Sequence, residues 1–218
     1  MNARENILAR IRARQAKGSA GESAARAAVR AHIAAHPQNA RPAVNWEPVA
    51  RFRSEALKLA STLDEVESMA AVPAAIARYI NAQRLPREAV CWEALGSLAW
   101  RAAGIEIAMR PARAADLVGI TGSFCAIAET GTLMMLSGPQ TPSVTSLLPE
   151  THIAVVEESR IVPGMEEAWQ LMRTEQRQAP RAVHFISGPS RTADIEQTVT
   201  LGAHGPYRVH IVLVGQRA

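Results

Sequence analysis

The residues best suited to chemistry lie in two polar, glycine-containing stretches. The first covers residues 120–132, contains the tetrapeptide Glu129-Thr130-Gly131-Thr132 and is followed by Ser137-Gly138-Pro139. Glu129 is the only carboxylate between residues 117 and 149, so it is the natural candidate for a catalytic base or nucleophile. Hydroxyls and glycine amides beside it could bind an anion. The candidate ligand-binding residues of this stretch are Thr121, Gly122, Thr130, Gly131, Thr132 and Ser137. The alternative is structural: Glu129 caps a helix or pairs with an arginine, and Gly131 forms a tight turn.

The second stretch, residues 187–194, joins a predicted strand to a predicted helix and reads Ser-Gly-Pro-Ser-Arg-Thr-Ala-Asp. Amides at a helix start attract carboxylates and phosphates, and an arginine can add a bidentate guanidinium. Asp194 and Glu196 already bring negative charge to that turn, so an ordinary helix cap is the alternative. The candidate ligand-binding residues here are Ser190, Arg191 and Thr192, with His204 from a glycine-flanked loop further on.

Motifs for metals and common cofactors are absent from the sequence. The two cysteines, Cys91 and Cys125, are isolated, and the six histidines show no H-E-x-x-H spacing. There is no G-x-G-x-x-G, no G-x-x-x-x-G-K-[ST] and no G-x-S-x-G. The sequence therefore predicts that this chain itself holds no metal, iron–sulfur cluster or dinucleotide.

Charge and hydropathy exclude two further classes of protein. The net charge is +4 and the pI about 9.7, but the arginines are scattered rather than grouped on one face, which argues against nucleic-acid binding. No apolar run approaches the ~20 residues of a membrane helix, and the N-terminus has no continuous apolar core of a signal peptide. We therefore expect a cytoplasmic protein without a membrane span.

The elements that must position these residues alternate in the α/β manner after residue 46. Apolar runs of four to seven residues predict strands buried on both faces, which is typical of parallel sheets with helical crossovers. Helices are predicted at 1–16, 22–35, 48–60, 72–83, 95–103, 165–177 and 192–198. Strands are predicted at 89–92, 105–108, 117–121, 132–136, 152–156, 182–186 and 208–214.

The predicted fold is an open, mostly parallel sheet with helices on both faces, preceded by a helical arm. The proline-containing stretch 37–48 separates residues 1–45, the arm and linker, from residues 46–218, the α/β domain. Such sheets bind ligands beyond the carboxyl ends of their strands. We therefore expect the two polar stretches to line one shared cleft and hold a small anionic ligand.

Four segments in order resemble the lactate utilisation protein C family, which is built on the LUD domain. They are Ala128-Glu129-Thr130-Gly131-Thr132-Leu133, then Ser146-Leu147-Leu148-Pro149 before His152-Ile153-Ala154-Val155-Val156, then Gly188-Pro189-Ser190-Arg191-Thr192-Ala193-Asp194-Ile195-Glu196, and Leu201-Gly202-Ala203-His204-Gly205-Pro206. The resemblance implies a fold like that of the ribose-phosphate isomerase, glucosamine-phosphate deaminase and CoA-transferase group. It also implies a role in oxidising L-lactate to pyruvate together with two iron–sulfur proteins, which would carry the redox centres. Family members often have an arginine in the stretch that corresponds to residues 140–145, and this sequence has none there. The resemblance then implies either that Arg191 takes the role of that arginine or that the ligand specificity of this chain differs.

Three hypotheses about function follow. The leading one is a non-redox, substrate-handling or accessory subunit of a lactate-oxidising assembly with iron–sulfur partner subunits. The second is a free-standing enzyme of the acyl-transfer or isomerase type that uses Glu129. The third is a binding module for a carboxylate or sugar phosphate. The sequence leaves open whether the chain forms a homo-oligomer and where the arm packs.

Overall fold

The computed structural model describes residues 2–15, 19–37, 41, 44–192 and 200–215. Contacts divide the chain into two compact units, residues 1–43 and 44–218. The first unit holds helix α1 (Ala3–Gln15) and helix α2 (Ser19–Ala35). The second helix begins three residues before its predicted start. Several apolar side chains of these helices are exposed, among them Ile7, Ile11, Val29 and Ile33.

A six-stranded parallel sheet forms the centre of the second unit, as predicted. Its spatial order is β1 (Thr62–Val66), β12 (Arg208–Val214), β7 (Thr151–Glu157), β4 (Val118–Thr121), β2 (Glu88–Cys91) and β3 (Glu106–Ala108). Every neighbouring pair runs parallel. The central strands are buried on both faces, which is why they read as continuous apolar runs in the sequence. The α/β class and the mostly parallel sheet are confirmed.

One face of the sheet is covered by helix α4 (Val72–Ala82), whose Ile76 and Ile80 pack against Ile120 and Ile153. This helix has Pro73 in its first turn, where the missing amide costs no hydrogen bond.

The continuous helix predicted over 95–103 is wrong. Two short 3₁₀ turns, Glu93–Leu95 and Arg101–Ala103, stand there instead. The carbonyl of Leu95, which a helix would offer to the amide four residues on, accepts the indole N–H of buried Trp100 at 2.7 Å. The side chain thus competes successfully with the helical backbone for that carbonyl.

The other face of the sheet is covered by helix α3 (Pro48–Lys58) and by a second sheet that the sequence did not predict. That sheet has the order β8 (Ile161–Val162), β5 (Cys125–Ile127), β6 (Thr132–Leu136) and β9 (Val183–Ile186). Strands β5 and β6 form an antiparallel hairpin, and β9 runs antiparallel to β6. The short helix α5 (Val144–Leu147) contacts β4 and β7. Helix α6 (Met165–Glu175) covers the outer face of the second sheet through Ala168.

Helix α3 begins with a strong N-terminal cap. The Glu47 carboxylate accepts the amides of Val49 at 2.8 Å and Ala50 at 2.6 Å, and Pro48 occupies the first turn. These hydrogen bonds, first that from Ala50, lower the pKa of Glu47. The helix then buries Phe52 and Ala56 between the two sheets.

Charged side chains flank β1 at one border of the parallel sheet. Arg53 from α3 pairs with Glu65 at 2.7 Å, and Arg78 from α4 pairs with Asp64 at 3.6 Å. The polar sequence of β1 lacks the apolar run by which the central strands were recognised, so this strand was not predicted.

Strand β10 (Arg191–Thr192) pairs antiparallel with strand β11 (Thr200–Leu201). Thr192, the predicted start of a helix over 192–198, therefore lies in a strand, and the helical start is wrong. The remaining part of that prediction falls on residues 193–199, which lie outside the described residues.

Candidate functional site

A cavity of about 590 Å³ opens at the carboxyl edge of the parallel sheet. Residues that follow or end β2, β4 and β7 line it, together with those that follow β6. This is the edge at which open α/β sheets bind their ligands. Its apolar wall includes Trp92, Leu95, Phe124, Leu136 and Val155, and its polar residues include Ser123, Ser137, Thr141, Glu157 and Arg160.

Two backbone amides at the end of β4 point to a binding role for this cavity. Gly122 and Ser123 are the first residues beyond the strand, and neither amide donates to another described backbone group. A Cβ added at Gly122 would meet only a ring carbon of Trp92, at 3.9 Å, so the glycine borders open space. The pair can therefore donate to an oxygen of a bound molecule.

A buried polar pair lies behind these amides. The Thr121 hydroxyl and His152 Nε2 are 2.8 Å apart, and both side chains are fully buried. Burial lowers the pKa of His152 to about 4, so the ring is neutral at pH 7. Its Nδ1 has no partner among the described residues. The hydrogen bond fixes the end of β4 against β7.

The cation at the cavity wall is already paired. The Arg160 guanidinium makes a bidentate ion pair with Glu175, at 2.7 and 2.9 Å, and donates from Nε to the Phe124 carbonyl at 2.9 Å. It also lies 5.0 Å from the centre of the Phe124 ring. The hydrogen bond from Arg160 is the main cause that lowers the pKa of Glu175. Glu157, the other charged lining residue among those described, is exposed.

Ser137 joins two strands at this edge. Its hydroxyl accepts the amide of Ala182 at 2.8 Å, and its own amide donates to the Ala182 carbonyl at 3.0 Å. Of the residues singled out in the sequence, Thr121, Gly122 and Ser137 thus come together at the carboxyl edge.

The Glu-Thr-Gly-Thr turn lies at the other end of the β5–β6 hairpin. Strand β6 starts at this turn and ends at the cavity, and its five residues span roughly 17 Å. At the turn, the Thr132 hydroxyl is 2.8 Å from Ser187 Oγ and accepts the hydroxyl of Thr130 at 2.8 Å. The structure therefore brings the two polar stretches together, because β6 and β9 are neighbours.

Their shared location is the amino edge of the parallel sheet. The Ser190 amide donates to the Pro206 carbonyl at 2.8 Å, two residues before β12 begins, and the Gly202 amide donates to the Ser190 carbonyl at 2.9 Å. His204 is exposed in the same loop. The expectation that both stretches follow the carboxyl ends of parallel strands holds for the start of the first one, because Gly122 directly follows β4. It is wrong for the Glu-Thr-Gly-Thr turn, which joins β5 to β6, and for the second stretch, which follows β9. These strands belong to the second sheet, and their turns lie at the opposite edge.

Both glycines of these turns pack against the end of helix α3. Gly131 has φ +63°, and a Cβ there would lie 2.6 Å from the carbonyl carbon of Glu55. Gly188 has φ +79° and faces the Leu59 carbonyl, to which Arg191 also donates at 3.4 Å. A cation at a helix C-terminus is favourable. The glycines and Arg191 therefore hold the turns on α3.

Glu129 is half-buried beside β8 and α6, where its amide donates to the Pro163 carbonyl at 3.0 Å. Its catalytic role stays a prediction, as do the binding roles of Ser190, Arg191, Thr192 and His204.

The sequence reasoning missed the side chains that shape the cavity, chiefly Trp92, Phe124 and Arg160. Trp92 is the last residue of the strand predicted over 89–92, and Arg160 follows the strand predicted over 152–156 by four residues. Aromatic and charged residues at or just beyond the end of each apolar run are the signal that would have indicated both.

The described residues offer no candidate for a metal site or for a membrane span. No group of three or more His, Cys, Asp and Glu side chains there could hold a metal ion. Within the same part of the chain, every helix is too short or too polar to cross a bilayer.

Comparison with known proteins identifies similar chains. Residues 22–214 match the family model described as "LUD domain". The chain is 37% identical over 146 residues to "Lactate utilization protein C 1" of Bacillus mycoides, covering 63% of this chain and 62% of the relative. It is 40% identical over 103 residues to "Lactate utilization protein C" of Bacillus subtilis, covering 46% of this chain and 43% of that one. The matches thus span between about two fifths and three fifths of these relatives.

A solved structure is also similar. The crystal structure of a DUF162 family protein from Deinococcus radiodurans aligns with a TM-score of 0.59 and 26% sequence identity. The alignment covers 80% of this chain and all of that chain. The match therefore extends over most of the second unit.

Proposed function

Because the chain belongs to the LUD domain family, we propose that it is an accessory, ligand-binding component of an L-lactate utilisation system. The observation that carries this proposal is its similarity to the lactate utilisation C proteins of two Bacillus species. In this role the chain binds a small molecule in the carboxyl-edge cavity and works with iron–sulfur partner proteins that carry the electrons.

The geometry of the cavity supports a binding role. Gly122 and Ser123 line a pocket of about 590 Å³, and their amides donate to no other described backbone group. The volume is within the range of small-molecule sites in proteins. The Thr121–His152 pair and the Arg160–Glu175 ion pair hold the walls in place. Such a preformed site loses little freedom when a ligand binds.

Deleting the gene should abolish or strongly slow growth on L-lactate as the sole carbon source, with growth on glucose unchanged. The wild-type gene should restore growth, and so should a variant with Leu148→Ala, an exposed site away from the cavity. Gly122→Leu places a large side chain in the cavity. This variant should restore growth on L-lactate poorly even when the immunoblot shows a normal amount of the protein. Growth curves with immunoblots of each variant provide the measurement. Unimpaired growth of the deletion strain on L-lactate would reject the proposal.

A second candidate function rests on the turn at the amino edge. Glu129 adjoins the hydrogen-bonded hydroxyls of Thr130, Thr132 and Ser187, where the segments that carry the family resemblance meet. In an acyl-transfer enzyme the Glu129 carboxylate would attack the thioester carbonyl of an acyl-CoA. A carbon–oxygen bond would form, the carbon–sulfur bond would break, and CoA would leave as the thiolate.

Incubation with acetyl-CoA should then add one acetyl group to Glu129, and Glu129→Gln should abolish the adduct. Intact-mass spectrometry with peptide mapping measures both. The matched control is Glu88→Gln, at an exposed position that begins β2, which should label like the wild type. Absence of the adduct in the wild-type protein, or equal labelling of Glu129→Gln, would eliminate this candidate.

A further inference from the structure

We propose that the carboxyl-edge cavity binds an uncharged, planar conjugated ring with carbonyl oxygens, the chemistry that naphthoquinones and flavins share. The inference rests on the proposed function and deepens it, since it names the ligand class of the same site. Four properties of the cavity lead to it: its size, its charge, its walls and its hydrogen-bond donors.

The cavity is too large for lactate to be its main occupant. Pockets of 300–1,000 Å³ enclose ligands of drug size, and this one holds about 590 Å³. Lactate has six non-hydrogen atoms and would leave most of that space to water. A bicyclic or tricyclic ring fills it far better.

The charge of the cavity disfavours an anion. Its charged lining residues, among those described, are Glu157 and Arg160. The guanidinium is occupied by both oxygens of Glu175 and by the Phe124 carbonyl. A carboxylate ligand would therefore face Glu157 with no unpaired cation on the described wall, and like charges at close range repel.

The walls fit a flat ring. Trp92 and Phe124 border the space, with Leu95, Leu136 and Val155 around them. Each aromatic ring is fixed: the indole N–H of Trp92 donates to the Pro142 carbonyl at 3.3 Å, and Phe124 lies under the Arg160 guanidinium. Rings held in this way offer stacking or edge contacts to a conjugated ligand.

The donors fit a carbonyl. The amides of Gly122 and Ser123 are unpaired within the described backbone, both residues line the cavity, and a Cβ at Gly122 would lie 3.9 Å from a ring carbon of Trp92. An uncharged oxygen on the edge of a planar ring can accept from both while the ring contacts the aromatic wall. A purely hydrocarbon ring would leave the two amides without partners.

Calorimetric titration of the full chain with menadione, riboflavin and sodium L-lactate tests the proposal. We expect one of the two ring compounds to bind at least tenfold more tightly than lactate, and the compound that binds distinguishes the quinone source from the flavin source. Covalent reaction of menadione with cysteine is suppressed because Cys91 and Cys125 are buried, which raises the pKa of each thiol to about 12.

Variants locate the site. Gly122→Leu should weaken ring binding at least tenfold, and Leu148→Ala should leave it unchanged. If Gly122→Leu fails to fold, Phe124→Ala should weaken binding at least fivefold, with Leu148→Ala again as the control. Lactate binding as tight as either ring, no ring binding, or ring binding that the folded cavity variants leave intact would each overturn the proposal. Growth of the deletion strain on lactate, tested separately, decides the proposed function itself.

Discussion

Replacing Gly131 with alanine is expected to lower the free energy of unfolding by about 2–5 kcal/mol. The backbone there has φ +63°, which costs a residue with a side chain about 1–2 kcal/mol. The new methyl would also lie 2.6 Å from the carbonyl carbon of Glu55, and still closer to the Ala56 amide. Overpacking against a rigid helix backbone adds about 1–3 kcal/mol. Urea denaturation of the purified variant measures the loss.

Gly122→Ala is the matched control. A methyl there meets a single atom, a Trp92 ring carbon at 3.9 Å, so its stability should stay within about 0.5 kcal/mol of the wild type. If Gly131→Ala is as stable as this control, the turn does not depend on close packing against α3. A ligand-binding purpose for the glycine would then regain support.

Acidification from pH 7 to pH 5 is expected to destabilise the protein by about 2 kcal/mol for each of two buried histidines. Burial lowers the pKa of His152 and of His210 to about 4 from an ordinary value of 6.5. Between those pH values the unfolded chain binds protons that the folded chain does not. The contribution of the two histidines to the free energy of unfolding is therefore complete above pH 6.5 and decreases as the pH falls. Below about pH 4 these histidines cause no further loss of stability.

Urea titrations at pH 7, 6 and 5 measure this dependence. His152→Gln can keep a hydrogen bond to Thr121, and it should remove about half of the pH-dependent loss whatever its own stability at pH 7. His204→Gln, at an exposed site, is the control and should match the wild type. A wild-type stability that stays constant from pH 7 to 5 would contradict the assignment of both rings as neutral.

The sequence predicts the central part of the fold because burial on both faces forces an apolar run. Strands β4, β7 and β12 are of this kind, and each was recognised within a residue or two. Strand β1 was missed because it borders the sheet and carries Asp64 and Glu65. The helix over 95–103 was wrongly predicted because apolar spacing does not reveal that the Trp100 indole takes the Leu95 carbonyl.

Three predicted residues reach the carboxyl edge: Thr121 ends the parallel strand β4, Gly122 follows it, and Ser137 follows β6 of the second sheet. The direction of the chain after β4 is not encoded in hydrophobic periodicity. Strand β5 has three residues, too short for a period of two to be visible, so the reversal into the second sheet went unseen. That reversal places Glu129 and Gly131 at the opposite edge from the cavity.

The ion pairs beside β1 also bear on whether this border strand can pair with a strand from another copy of the chain. An open sheet has a border strand whose backbone groups could pair with a strand from another chain. Exposed ion pairs such as Arg53–Glu65 and Arg78–Asp64 add only about 0–1 kcal/mol to folding. Charged side chains on a border strand are one of the features by which proteins discourage pairing with a second strand. Any such effect of Asp64 and Glu65 would not be visible in a measurement of folding stability alone.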